Sequence, residues 1–189
     1  MYRSSYQSGL LSIFYSVGQK PLLNWATCAR SGTIRRISDS DIRSLVLDIR
    51  GTNVSTTYIE CPSCPTETLG IRMPIFVLLF KNMDRYFTFE IEIQDYTGVH
   101  RRFRASNFTR TTTIRPFTTK MPLVLHSGWN TVVFDLQRLT EYCYKQRLME
   151  VNRVKVNANC RLRRIYFCDR PYTDKELPNE YKLQLQTQN

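Results

Sequence analysis

The segment from Arg153 to Arg163 alternates polar and apolar residues with a period of two. Successive side chains of a β-strand point to opposite faces, so this period predicts a strand with one buried and one solvated face. The apolar positions are Val154, Val156, Ala158, Cys160 and Leu162. The opposite face carries four cations and no acid; we call these four the basic rail, which consists of Arg153, Lys155, Arg161 and Arg163.

A face of one charge sign is informative because adjacent like charges repel one another. It predicts an acidic partner surface, although a solvated edge that uses cations to discourage strand pairing explains the pattern equally well. A second cluster, Arg101, Arg102 and Arg104, follows the turn at Gly98, and Arg164 extends the rail. We therefore take the rail, the second cluster and Arg164 as the candidate partner-binding residues.

Composition sets the broad class of the protein. A length of 189 residues fits one domain, which we expect to span 1–189, and 42% hydrophobic residues are enough for a normal core. The formal net charge is +11, which favours nucleic acid, anionic lipid or an acidic protein surface as partner. Net charge does not choose among these three.

The same alternation recurs through most of the chain and predicts an all-β protein. We expect a core that includes Phe87, Phe89, Ile91, Val154, Val156 and Leu162. Strands are expected at 45–49, 54–59, 75–80, 87–94, 111–115 and 129–136. The segment 75–80 is apolar on both faces, as in a central strand covered on each side. Many short strands separated by turn signals favour an antiparallel sandwich or barrel.

Helical signals are few. Leu136, Leu139 and Cys143 share one face, which predicts a short amphipathic helix at 135–144. A single turn is expected at 39–44, and Thr173 with Glu176 has the spacing of a capping box. The polar segment 184–189 is expected to be a loose C-terminal tail.

The spacing of Cys61 and Cys64 is the only one that resembles a metal or redox motif. A structural zinc site needs four ligands, and neither a second such pair nor a nearby histidine pair completes this one. Redox pairs of this spacing begin a helix, whereas this pair follows a predicted strand in a proline-rich loop. We interpret it as incidental, with no bound metal and no cofactor.

Catalytic patterns are equally sparse. The two histidines, His100 and His126, lie in no recognisable nucleophile and base arrangement, and phosphate-binding glycine-rich loops are absent. Glu90 and Glu92 share a strand face, but acids on such a face are usually solvated rather than catalytic. The sequence predicts a protein that is not an enzyme.

Two kinds of membrane signal are missing. The N-terminal apolar piece lacks the length and cleavage site of a secretory signal, and 73–80 is far shorter than the ~20 residues that span a bilayer. We expect an intracellular, soluble protein with no membrane partner. Its six cysteines are then expected to be reduced thiols.

Two alternatives to protein binding stay open. Nucleic acid is favoured by the arginine clusters and disfavoured because the outward aromatic pattern of RNA-binding sheets is missing. Carbohydrate binding would require an exposed aromatic row. Trp25 and Trp129 are the candidates, but the alternation of its strand points Trp129 inward.

Seven segments in order resemble the cilia- and flagella-associated protein 20 family, and the similarity runs from about Tyr6 to the end. They are GTNVSTTYI (51–59), LGIRMP (69–74), YFTFE (86–90), RRFRASN (101–107), GWN (128–130), NANCRLRRIYF (157–167) and ELP (176–178). The resemblance implies a jelly-roll-like β-sandwich, as in carbohydrate-binding modules, with one short flanking helix. It also implies no catalysis.

The resemblance further implies a structural protein of the ciliary axoneme that sits at the inner junction of doublet microtubules. The implied partners are tubulin of the A- and B-tubules, a protein like the parkin co-regulated gene product, and other axonemal proteins. The implied location is the axonemal cytoskeleton of cilia and flagella, with basal bodies or centrioles as further sites. The chain departs from the family at Cys61 to Cys64, at His126 and Ser127, and at 142–147, as expected of a lineage-specific or testis-expressed paralogue.

Overall fold

Two β-sheets packed against each other form the protein in the computed structural model, which describes residues 1–185. The helix α1 spans Leu136–Tyr144, and short 3-10 turns cover Val54–Thr56 and Asn179–Tyr181. The strands are β1 (Leu10–Tyr15), β2 (Ala26–Ala29), β3 (Gly32–Asp39), β4 (Ser44–Gly51), β5 (Thr57–Cys61), β6 (Ile75–Asn82), β7 (Thr88–Asp95), β8 (His100–Ser106), β9 (Thr113–Ile114), β10 (Thr118–Pro122), β11 (Gly128–Asp135), β12 (Leu148–Asn157) and β13 (Cys160–Cys168).

The six-stranded sheet has the order β11-β6-β13-β4-β3, and β1 pairs with the second half of β13. The seven-stranded sheet has the order β2-β5-β12-β7-β8-β10-β9. All pairings are antiparallel except that of β8 with β10. The predicted antiparallel β-sandwich with a short helix is therefore confirmed, with one parallel pair that the sequence did not indicate.

The core lies between the sheets and contains every residue predicted for it. Phe87 enters it just before β7, Phe89 and Ile91 enter it from β7, Val154 and Val156 enter it from β12, and Leu162 enters it from β13; each is 0% exposed. A smaller apolar cluster lies on the outer face of the six-stranded sheet, where the segment after β13 covers it with Tyr172, Tyr181 and Leu183.

The prediction of one continuous strand from Arg153 to Arg163 is wrong. The chain leaves the seven-stranded sheet at the end of β12, turns at Ala158 and Asn159, and enters the six-stranded sheet as β13. The polar and apolar alternation continues through the turn. The apolar Ala158 is buried, and the polar Asn159 side chain accepts a hydrogen bond from Gly51 N and donates one to Tyr86 O. Nothing in the period of the pattern therefore marks the break.

The predicted helix is confirmed and has clear ends. The Asp135 carboxylate caps it by accepting a hydrogen bond from Arg138 N at 3.0 Å. The helix ends where Lys145 adopts a left-handed conformation with φ of 55°. Beyond β13, Glu176 accepts hydrogen bonds from both the backbone N–H and the hydroxyl of Thr173, which is one half of the predicted capping box; Glu176 N donates to the Thr173 carbonyl instead of its hydroxyl.

Other predicted boundaries need correction. Residues 54–56 form a 3-10 turn instead of strand because the Asn53 side chain accepts a hydrogen bond from Ser55 N. The strand expected at 111–115 shrinks to Thr113–Ile114. Trp129 lies on the outer face of β11, where its indole N–H donates to Asp39, so the inward assignment was wrong. Of the expected tail 184–189, residues 186–189 lie outside the described part of the chain.

Replacing Phe89 with alanine tests the core assignment. The Phe89 ring lies 5.7 Å from the Phe76 ring and 5.5 Å from the Phe134 ring, measured between centroids. Truncation removes these contacts and leaves a cavity, so Phe89→Ala should lower the free energy of unfolding by about 3–5 kcal/mol in urea titrations. Phe117→Ala, at a ring that is 67% exposed, is the control and should change it by about 0.5 kcal/mol or less. Equal stability of the two variants would contradict the inward orientation of Phe89.

Candidate partner-binding surface

The basic rail is divided between the two sheets. Arg153 and Lys155 lie on the outer face of the seven-stranded sheet, whereas Arg161 and Arg163 lie on the outer face of the six-stranded sheet. The turn between β12 and β13 separates the two pairs, because each strand directs its apolar residues into the same interior. The four cations therefore cannot act as one continuous surface.

Arg161 belongs to a buried ion network instead of an open surface. Its Nε donates to Asp48 at 3.0 Å and its Nη1 donates to Asp39 at 2.6 Å. Asp39 also accepts a hydrogen bond from Lys81 Nζ at 3.2 Å, and both aspartates are 1% exposed. Removing one member of such a network leaves a buried charge without its partner, so this arginine holds β3, β4, β6 and β13 together.

The network sets the protonation of Asp39. Burial alone would raise the pKa of this carboxyl, but hydrogen bonds from Arg161 and Lys81 more than offset that effect and lower its pKa below the usual range. The folded protein therefore favours the charged carboxylate at neutral pH.

Arg163 and Arg164 are also engaged within the fold. Arg163 donates to Leu45 O at 3.1 Å and to the Ser16 hydroxyl at 3.2 Å. Arg164 is 4% exposed, and its guanidinium lies between the rings of Tyr15, at 3.7 Å, and Tyr181, at 4.3 Å. Arg164 thus fastens the C-terminal segment to the six-stranded sheet through cation–π contacts, and a partner cannot reach it in this structure.

The two rail residues on β12 differ from each other. Arg153 donates to Glu60 at 3.3 Å, to Pro62 O at 2.7 Å and to Glu67 O at 3.1 Å, so it fixes the loop after β5. The Lys155 ammonium lies 3.8 Å from the centre of the Tyr58 ring and, within residues 1–185, has no carboxylate at ion-pair distance. Only Lys155 of this pair keeps an uncompensated charge.

The second cluster is partly paired with acids of the fold. Arg101 donates to the buried Asp95 at 2.9 Å and packs against the Tyr144 ring. Arg104 forms a close ion pair with Glu90, and Arg102 lies 3.5 Å from Glu90 and Glu92. The side chain of Arg101 is only 13% exposed, whereas those of Arg102 and Arg104 are 46% and 42% exposed and remain accessible.

The accessible arginines continue into a larger basic surface. In the parallel pair of β8 and β10, Arg102 stands opposite Thr118 and Arg104 stands opposite Lys120, with Arg115 in the adjoining turn. We name Arg102, Arg104, Arg115 and Lys120 the basic edge, since β10 and β9 form that edge of the seven-stranded sheet. Within the described residues, Arg115 and Lys120 have no ion-pair partner.

Sequence reasoning from short clusters missed this surface, although a signal was present. Residues 96–134 contain no Asp or Glu and six cations, Arg101, Arg102, Arg104, Arg110, Arg115 and Lys120. That long acid-free segment supplies β8, β9, β10 and most of β11. A search for missing acids, instead of adjacent arginines, would have found the basic edge.

The two cysteines of the loop after β5 differ in exposure. Cys61 is 1% exposed, and burial raises the pKa of its thiol to about 12. Cys64 is exposed, and a hydrogen bond with the Thr66 hydroxyl lowers the pKa of its thiol. All six cysteines are free. Across residues 1–185 no three His, Cys, Asp or Glu side chains group as they would around a metal ion.

Among residues 1–185, no helix is both long enough and apolar enough to cross a membrane.

The pH dependence of the stability of the Asp39→Asn variant tests the buried ion network. The lowered pKa means that the network stabilises the fold above the unfolded carboxyl pKa of about 3.9, and that this stabilisation is lost as pH falls through the folded value. At neutral pH the variant should unfold about 3 kcal/mol more easily, because Arg161 and Lys81 lose their anionic partner. The urea-unfolding free energies of the parent and the variant should therefore converge as the pH falls below about 3.9. A stability gap independent of pH would contradict the assignment.

Residues 1–185 match the CFA20 domain. The chain is 51% identical over 188 residues to cilia- and flagella-associated protein 20 of Chlamydomonas reinhardtii, covering 100% of this chain and 99% of that protein. It is 50% identical to the protein of the same name from Paramecium tetraurelia, covering 100% of this chain and 98% of that protein. The Caenorhabditis elegans protein of that name is 48% identical, and the match covers 98% of this chain and 91% of that protein.

Among solved structures, a family 11 carbohydrate-binding module from Clostridium thermocellum, in complex with a mixed-linked tetrasaccharide, aligns with a TM-score of 0.41 and 12% identity. It covers 86% of this chain and 97% of that one. The sequence relatives agree with the motifs along the whole length of this chain. This chain therefore belongs to the cilia- and flagella-associated protein 20 family, whose members associate with cilia and flagella.

Proposed function

We propose that this protein is a non-enzymatic structural component of the ciliary and flagellar axoneme that binds tubulin and links the A- and B-tubules at the inner junction of doublet microtubules. The observation that carries the proposal is the identity of about half of all residues, over the full length, with proteins named for cilia and flagella. The motifs that place the chain in this family span both sheets, so the shared feature is the entire sandwich.

The basic edge gives this proposal a physical contact. Tubulin presents a strongly acidic outer surface, and Arg115 and Lys120, which have no ion-pair partner within residues 1–185, are available to meet it. Exposed charges mainly steer association and set orientation, so lasting attachment needs apolar contact as well. Phe117 and Ile114, which are 67% and 45% exposed on the same edge, supply apolar surface beside the cations.

A sandwich suits a linking role because it presents two outer faces and two loop ends. The seven-stranded sheet ends in the basic edge, while the C-terminal segment covers part of the outer face of the six-stranded sheet. One domain could therefore contact tubulin on one side and a second protein, such as a protein like the parkin co-regulated gene product, on another. Repetition along the microtubule would add avidity to weak individual contacts.

Co-sedimentation with microtubules tests the role of the basic edge. The variant Arg102→Gln, Arg115→Gln, Lys120→Gln removes three exposed charges while leaving the buried pairs of Arg101 and Arg161 intact. It should bind microtubules about tenfold more weakly, since each exposed charge contributes up to about 1 kcal/mol. Binding by the parent should also fall as salt screens the contact.

The matched control removes three exposed cations elsewhere, at Lys20, Arg30 and Arg43, and therefore has the same net charge. It should bind as the parent does. Equal weakening of both variants would show attraction by net charge alone and contradict a contact at the basic edge. RNA and a neutral polysaccharide serve as competing ligands in the same assay, and preferential retention of either one would overturn the tubulin assignment.

A further inference from the structure

A cleft of about 240 Å³ opens on the outer face of the seven-stranded sheet and shares Arg104 and Lys120 with the basic edge. Its walls come from β7, β8, β10 and β12, together with the turn before β5 and the loop after β8. The lining residues that bear on its chemistry are Glu90, Arg104, Phe108, Lys120, Lys155 and Asn157. The cleft thus collects charged side chains from strands that are far apart in the sequence.

The charges of the cleft do not balance. Glu90 is its one acid, and this carboxylate already pairs with Arg104 and lies 3.5 Å from Arg102. Lys120 and Lys155 have no carboxylate at ion-pair distance within the described residues. The interior acid is therefore neutralised by arginines, and two lysines remain to attract an anionic group from outside.

The cleft walls add hydrogen-bonding groups and one apolar surface. Asn157 is 3% exposed; its amide N–H₂ donates to Val54 O at 2.6 Å, while its Oδ1 accepts no hydrogen bond from residues 1–185. The hydroxyls of Ser106 and Thr109 share a hydrogen bond of 2.7 Å. Phe108 is 45% exposed and packs beside Tyr86. A ligand suited to these walls carries both an anionic group and a hydrogen-bond donor.

We propose that this cleft binds an acidic peptide segment of a partner protein, whose Glu or Asp carboxylates pair with Lys120 at one wall and Lys155 at the opposite wall. A peptide places a carboxylate and a backbone N–H close together, so one ligand could satisfy the lysines and the Asn157 oxygen. This inference rests on the proposed function in that it assigns the acidic partner to a defined cleft beside the basic edge.

The dimensions of the cleft favour a peptide over a nucleic acid. A volume of about 240 Å³ lies below the roughly 300–1,000 Å³ of sites that enclose drug-sized molecules, so it admits side chains more readily than a nucleoside. Single-stranded nucleic acid also requires aromatic platforms on which successive bases stack. The cleft offers one ring, Phe108, whose plane is tilted by 59° to that of Tyr86.

Fluorescence anisotropy with the purified full-length protein tests the proposal. The probe is a short labelled peptide of alternating Gly and Glu with blocked ends, and its control has Gln in place of Glu. The parent should bind the Glu peptide at least about tenfold more tightly than the Gln peptide, and Lys155→Gln should weaken Glu-peptide binding about fivefold. Arg30→Gln, an exposed cation outside the cleft, should leave binding within about twofold of the parent.

A variant that fills the cleft distinguishes peptide binding in the cleft from general electrostatic attraction. Ser55 is exposed at the cleft wall, and Ser55→Trp adds bulk without changing the charge, so it should abolish binding of the Glu peptide. Thermal unfolding checks the fold of each variant. If the tryptophan variant does not fold, the double variant Lys120→Gln, Lys155→Gln takes its place and should weaken binding more than the single change.

Three results would overturn the inference. They are equal binding of the Glu and Gln peptides, undiminished binding after the cleft is filled, and binding of a poly-uridine RNA that depends on Ser55 and Lys155 more strongly than peptide binding does. The assay contains no microtubules, so it is independent of co-sedimentation. If the parent protein binds microtubules but not the Glu peptide, the cleft proposal is refuted and the proposed function stands. If the parent binds the Glu peptide but not microtubules, the proposed function is refuted and the cleft proposal stands.

Discussion

Burial of two apolar sheet faces against each other is the interaction on which the rest of the structure depends. Val154 on β12 and Leu162 on β13 are both fully buried, although they belong to different sheets. Since the apolar faces of both strands point into the shared core, the cations on their outer faces point away from each other. The packing that stabilises the fold therefore also decides that the protein presents two separate basic faces, and each face has its own neighbours.

Those neighbours determine which cations can meet a partner. Arg161 is neutralised by Asp39 and Asp48, which precede it by 122 and 113 residues in the chain. Arg101, Arg153 and Arg164 are likewise held by carboxylates, backbone carbonyls or aromatic rings of the fold. The basic edge and the adjoining cleft keep cations that nothing in the described residues neutralises, and for this reason the proposed contacts lie there.

Much of the fold could be predicted from local pattern, because alternation reports burial directly. The central strand at 75–80 and the helix capped by Asp135 are examples. The crossing between sheets at Ala158 could not be predicted, since a small buried residue preserves the alternation. The positions of the arginines were evident in the sequence, but their pairing depends on strand order, which no local pattern encodes. The cleft escaped prediction for the same reason, because four strands build it.

A density map of native doublet microtubules from cilia that contain this protein tests the central claim most directly. We expect a two-sheet sandwich at the inner junction, between the A- and B-tubules, with the basic edge of β8, β9 and β10 against tubulin. We also expect that Arg161 and Arg164 do not contact tubulin through their side chains. Absence of the chain from the junction, or a basic edge that faces away from every neighbouring protein, would contradict it.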